Sequence, residues 1–175
     1  MKNQSPWVCV TTYAQHNKIN GRVFRFELDD FDDLFDNESD PGFRFIDWSS
    51  DLKAYISEPG IDPAAFELAK LDETDRDIIA AWCSHFGVDQ AIPRTDEQFQ
   101  IILGQFKGNF PTGGDFAEYQ WQEDAESQGI ELNGLLGQLA IDWQATWNAD
   151  FGFEYIQVLY CNQNYFFNQL TDQLF

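Results

Sequence analysis

Carboxylates are the residues of this chain that could do chemistry in number. Thirty Asp and Glu stand against 10 Lys and Arg over 175 residues, a formal net charge of −20 and an isoelectric point near 4.1. Such groups can ligate hard cations, move protons as an acid and base pair, or stand as a fixed anionic field. The densest run, DDFDDLFDNESDPG (residues 29–42), is rich in hard oxygen ligands. A calcium-binding EF-hand loop, however, needs Gly at its sixth position and Glu at its twelfth. Counting from Asp36 gives Glu38 and Asp40, then Pro41 where Gly belongs and Asp47 where Glu belongs. Phe31, Leu34 and Phe35 fall at i, i+3, i+4 in the same run, which asks for helical burial and not an open ligand loop. Calcium binding is therefore the lesser alternative. A glycosidase-like carboxylate pair stays open among so many acids, with no spacing that singles one out.

Other chemistry has less support. GxxxxGK[ST], GxGxxG, GxSxG, HExxH and CxxC are all absent from the sequence, so phosphate loops, a hydrolase elbow and a cysteine zinc site have no basis. The two histidines, His16 and His85, are far apart, and His85 at an expected helix end is accounted for by the helix dipole. Cys9, Cys83 and Cys161 sit among apolar neighbours and read as small buried hydrophobes in a reducing compartment. The expectation is a protein that is not an enzyme, with no cofactor and no metal.

A net charge of −20 disfavours binding to nucleic acid or an anionic membrane, since both require a basic face. No window approaches 18 apolar residues, and MKNQSPWVCVTTYAQ lacks a signal-peptide core, so a soluble, cytoplasmic chain is expected. With 43% hydrophobic residues and 17 Phe, 6 Trp and 6 Tyr, it should fold and not behave as an acidic tail.

The charge is distributed unevenly. Residues 1–26 carry four bases and no acid, whereas residues 27–57, 58–106 and 107–175 carry −8, −7 and −9. The candidate surface acids are Asp29, Asp30, Asp32, Asp33, Asp36, Glu38 and Asp40 in the first acidic segment. Glu58, Asp62, Glu67, Asp72, Glu73, Asp75 and Asp77 follow in the second. Asp115, Glu118, Glu123, Asp124, Glu126 and Glu131 belong to the third.

The elements that must position these acids form an α+β protein, an elongated chain of three small modules spanning 1–57, 58–105 and 106–175. WVCVTTY (7–13), RVFRFEL (22–28) and FRFIDW (43–48) read as strands, with a short amphipathic acidic helix over 29–40. Asp62 with Pro63, Thr74 with Asp77, and Thr95 open three helices, the second stopped by Gly87. Thr112 to Gln128 reads as a helix ended by Gly129. An apolar-periodic stretch, Leu135 to Trp147, precedes two strands around an Asn162-Gln163-Asn164 turn. Duplex DNA carries one charge per roughly 1.7 Å, so about 20 charges match some 34 Å of duplex. Carboxylates on helix faces could therefore take the place of phosphates in a basic groove.

One segment is more specific. FKGNFPTGGDFAEY (106–119) resembles the F-x-G-x-Y-x-S-x-x-D-F-A motif of ArdA-type antirestriction proteins. Phe106, Gly108, Asp115, Phe116 and Ala117 match, with Phe110 and Thr112 in the Tyr and Ser positions. Ile141, Asp142, Trp143 and Ala145 are similar to that family's I-D-Y/W-x-A segment, and Tyr13, Asn17, Gly21 and Asp47-Trp48 to its N-terminal pattern. His16, Phe24 and Ser49 depart from it. The resemblance implies a curved DNA mimic that dimerises through its C-terminal module and occupies the DNA groove of type I restriction-modification enzymes, on the specificity and methyltransferase subunits. Packing is expected of Phe106, Phe110, Phe116, Ile141 and Trp143, a turn of Gly108 and a helix cap of Thr112. The alternative is an acidic mimic or scaffold aimed at another DNA-binding or defence protein.

Overall fold

Alternation in WVCVTT makes β1 (Trp7–Thr12) the middle strand of an antiparallel sheet, between β2 (Phe24–Glu27) and β3 (Phe43–Trp48). Val8 and Val10 point to one face and are fully buried. Cys9 points to the other, opposite Arg25 on one side and Asp47 on the other. The β1 to β3 ladder shifts register between Cys9 and Val10, skipping the exposed Ile46. This computed structural model describes residues 5–12, 22–28, 30, 43–57, 60–86, 92–130 and 140–169. The fold is α+β and divides into two compact units, Met1–Gly104 and Gln105–Leu174.

In the first unit the sheet leads through a 3-10 turn (Ser50–Leu52) and a two-residue ladder, β4 (Ile56–Ser57) with β5 (Gly60–Ile61), into helices. Pro63 already has helical dihedrals, and the Asp62 carboxylate accepts the Ala64 N–H at 3.0 Å, opening α1 (Ala64–Ala69). α2 (Glu73–Phe86) corrects an expectation: its cap is Asp72, whose Oδ1 accepts the Asp75 N–H at 2.9 Å, and not Thr74. The helix starts one residue before Thr74, so that hydroxyl falls inside the first turn. A carboxylate at the start also meets the positive end of the helix dipole. α3 (Asp96–Gln105) opens with a reciprocal capping box, Gln98 N–H to Thr95 Oγ1 and Thr95 N–H to Gln98 Oε1. Leu68, Ile79, Trp82, Phe99 and Ile102 are fully buried or nearly so. Tyr55 ties the turn to the helices: its hydroxyl donates to the Pro93 carbonyl at 3.0 Å and its ring meets Phe99 edge-on.

The second unit places α4 (Gly113–Ser127) and α5 (Trp143–Ala149) with a sheet of order β6 (Phe106–Asn109), β8 (Gln163–Asn168), β7 (Tyr155–Tyr160). Its core is Phe116, Ala117, Trp147 and Phe166, flanked by Phe110, Phe151 and Tyr155. Phe116 and Phe166 stack at 4.6 Å with planes 10° apart. α4 begins at Thr112, whose hydroxyl accepts the Asp115 N–H, and ends in paired bonds from Gly129 to Glu126 and from Ile130 to Ala125. Gly129 supplies the φ of +70° this Schellman ending requires.

Three expectations are corrected here. Gly108 is not a turn but a bulge within β6, with φ +133° and a register slip against β8. The last hairpin turns at Cys161-Asn162, both at positive φ, and Gln163 and Asn164 already belong to β8. Of the described part of the stretch 135–147, only Trp143 onward is helical, because Asp142 Oδ1 caps α5 by accepting the Ala145 N–H. The turn also leaves Cys161 exposed, where burial was expected, while Cys83 is buried and Cys9 half-buried. The acidic helix expected over 29–40 lies outside the described residues apart from Asp30, as do His16 and Gly87. Among the described residues no helix is long and apolar enough to cross a membrane.

Candidate functional site

α4 carries the most regular display of acids. Its apolar residues Phe116, Ala117 and Ala125 are buried, and its carboxylates Asp115, Glu118, Glu123, Asp124 and Glu126 are exposed. At about 100° per residue, Asp115, Glu118, Glu123 and Glu126 share one face with Tyr119 and Gln122, and Asp124 stands off it. At about 1.5 Å per residue these four span some 16 Å, one charge per roughly 5 Å of axis. One DNA strand carries one per about 3.4 Å. Among the described residues none of these carboxylates forms an ion pair. Their bonds are to neutral groups: Thr112 Oγ1 donates to Asp115 at 2.6 Å and Gln120 to Asp124 at 3.0 Å. The whole segment 105–174 holds ten acids and a single base, Lys107. Burial, then the nearby charges of Asp124 and Glu154, push the Tyr155 hydroxyl above its ordinary pKa.

The acids of the first unit are more engaged. Asp62 caps α1 and accepts from Arg94 Nε at 2.9 Å, and Glu67 pairs with Lys70 at 2.7 Å. Asp72 is spent as the cap of α2. Asp75 and Asp77 are half-buried. Burial first, then Asp72 for the one and Asp51 and Glu73 for the other, raises both carboxyls, with Arg76 partly offsetting the effect on Asp77. Asp30 and Glu73 are exposed. Asp29, Asp32, Asp33, Asp36, Glu38, Asp40, Glu58 and Glu131 lie outside the described residues.

The motif residues build the platform on which the α4 acids stand. Phe106 packs on Phe167, and Phe110 on Phe116 and Phe166. Trp143 meets Trp121 at 5.8 Å, and Ile141 is half-buried just before the Asp142 cap. Gly113 and Gly114, between motif positions, let α5 approach: a Cβ on Gly114 would lie 3.1 Å from the Gln144 backbone N, and Gln144 Oε1 accepts the Gly114 N–H.

Sequence reasoning missed Asp51 and Arg76. The Arg76 guanidinium is buried, donating from Nε to Asp51 Oδ2 at 2.8 Å and from Nη1 to the Leu71 carbonyl at 2.6 Å. The one signal was an arginine between two aspartates inside an amphipathic helix. Among the described residues no group of three or more Asp, Glu, His or Cys side chains is placed to hold a metal ion. Comparison with protein-family models, curated proteins and solved structures finds no match for this chain.

Proposed function

We propose that this chain is a non-catalytic DNA mimic of the antirestriction kind. It occupies the DNA-binding groove of a type I restriction-modification enzyme, on the specificity and methyltransferase subunits, and acts as a homodimer in the host cytoplasm. The observation that carries the reading is the exposed face of α4, where Asp115, Glu118, Glu123 and Glu126 stand without basic partners among the described residues. A surface of purely solubilising charge intersperses both signs, because unpaired like charges oppose compaction. Leaving one sign uncompensated along a helix suits a partner that brings the other. The Lys and Arg of a DNA groove form charge-assisted bonds to carboxylates as they do to phosphates. The motif residues Phe110, Phe116 and Trp143 serve this function by packing, holding the helix rather than touching the partner.

The test is displacement. Purified protein added to a type I methyltransferase core bound to labelled duplex DNA at low salt should release the DNA, with an effect that falls steeply as salt rises. Failure to release DNA from any such core defeats the proposal.

A further inference from the structure

The sheet of the second unit has two unlike edges. β6 closes one with four residues, an exposed Lys107 and the bulge at Gly108. Shortness, a lysine and a bulge are the devices that keep a strand edge from pairing with another chain. β7, at the other edge, has none of them: its six residues hold unbroken register with β8. The run 155–171 is also the longest in the chain without a charged residue. The two-residue turn at Cys161-Asn162, both at positive φ, makes Tyr160 and Gln163 a hydrogen-bonded pair. Alternation then turns the N–H and C=O groups of Tyr155, Gln157 and Leu159 away from β8. Phe153 and Leu159, at 72% and 70%, are the most exposed large hydrophobic residues among those described, and each stands three positions from Ile156.

We propose that β7 pairs antiparallel with β7 of a second copy about a two-fold axis at Ile156, joining the two sheets into one of six strands. This register sets Tyr155 against Gln157 of the second copy and brings Leu159 to the second copy's Phe153, so the two exposed apolar residues cover each other. One two-fold axis closes such a contact, and the blunted β6 edge stops further growth. Charge selects the occupant. A basic partner is met by carboxylates, whereas two chains of −20 each approach at least cost where neither carries charge. Residues opposed across antiparallel strands share a face. Gln157 opposes the core residue Phe166, so α4 and α5 of both copies lie on one side of the joined sheet. The acidic display of α4, some 16 Å long in one copy, is thereby doubled on a single face. The inference rests on the homodimer in the functional reading and assigns its interface.

The test is sedimentation equilibrium of the full chain over a dilution series, with amide hydrogen exchange measured at both ends of it. A monomer–dimer equilibrium is expected, tightening as salt screens the repulsion between like-charged copies. The Gln157 and Leu159 amides, which face away from β8, should exchange slowly in the dimer and fast in the monomer. Leu159→Glu, at an exposed position, should weaken association about tenfold or more. Ile101→Glu, equally exposed on α3, should not. A chain that stays monomeric throughout overturns the proposal. So does a dimer indifferent to Leu159→Glu, or one in which both amides exchange as fast as in the monomer, since each places the contact elsewhere. Growth beyond two copies overturns the closed two-fold pairing. Protection of these amides only when a methyltransferase core is added makes β7 a strand for that enzyme and overturns the assignment to a second copy. No DNA displacement enters this test, so failure here leaves the α4 reading standing. A dimer paired through β7 that fails to displace DNA sinks that reading and not the interface.

Discussion

Trp147 lies so close over Gly113 that a Cβ at that glycine would stand 2.5 Å from Trp147 Cδ1. The absent side chain allows the first turn of α4 to seat against α5, with Phe116 edge-on to the same indole at 5.8 Å. The acidic face of α4 is thus presented by an aromatic wedge that tolerates no added atom on its inner side.

Gly113→Ala should therefore destabilise the second unit by about 1–3 kcal/mol, the usual cost of overpacking. Gly104→Ala should do the opposite, since nothing lies within 4 Å of that helical glycine. Reduced unfolded-chain entropy there stabilises by about 0.4–1 kcal/mol. Urea unfolding of the two variants checks the opposite signs.

Breaking the Arg76–Asp51 pair should be far costlier than breaking Glu67–Lys70. The first pair has side chains only 4% and 12% exposed, the second 46% and 66%. Arg76→Met leaves a buried carboxylate uncompensated, at about 3–5 kcal/mol. Lys70→Met should shift stability by less than about 1 kcal/mol. Urea midpoints measured side by side separate the two.

Asp77 should make the protein less stable as pH rises above the ordinary aspartate value of 3.8. Its carboxyl is raised in the folded chain, so in that window the unfolded chain ionises first and the folded state loses ground; below it, both states hold the proton. Asp77→Asn removes this loss. The variant should gain on the parent chain in urea stability between pH 4 and pH 7, and a parent chain that gains on the variant contradicts the assignment.

Thiol reactivity should follow position. Burial pushes the Cys83 thiol up to about 11, whereas Cys161 stands exposed on a hairpin turn at φ 47°. Iodoacetamide at pH 8, read by peptide mass, should label Cys161 first and Cys83 only on unfolding, because the thiolate is the reacting species.

How much of this was legible in the sequence depends on the range of the interaction. Local signals read well: the Thr95 cap, the Thr112 cap and Gly129 ending α4 are each settled within four residues. Competition between neighbouring candidates read less well, as with Asp72 taking the cap from Thr74, or the turn settling on Cys161-Asn162. β6 was missed because its four residues contain a bulge, and Gly108 carries no alternation. At the site, the exposure of the α4 acids followed from helical period. The engagement of Asp62 by Arg94 and of Asp51 by Arg76 did not, since those partners stand 32 and 25 positions away and only the tertiary fold brings them together.

The central claim is that the α4 carboxylates act together as a phosphate-like array. The most direct measurement compares the parent chain, Glu123→Gln, and the triple variant Glu118→Gln, Glu123→Gln, Glu126→Gln in displacing DNA from a type I methyltransferase core across a salt series. All three substituted positions are exposed and outside the core, so folding should be retained. The single change should cost about 1 kcal/mol or less. The triple change should weaken displacement strongly and flatten its salt dependence. A triple variant that displaces DNA as well as the parent chain, with the same salt dependence, would contradict it.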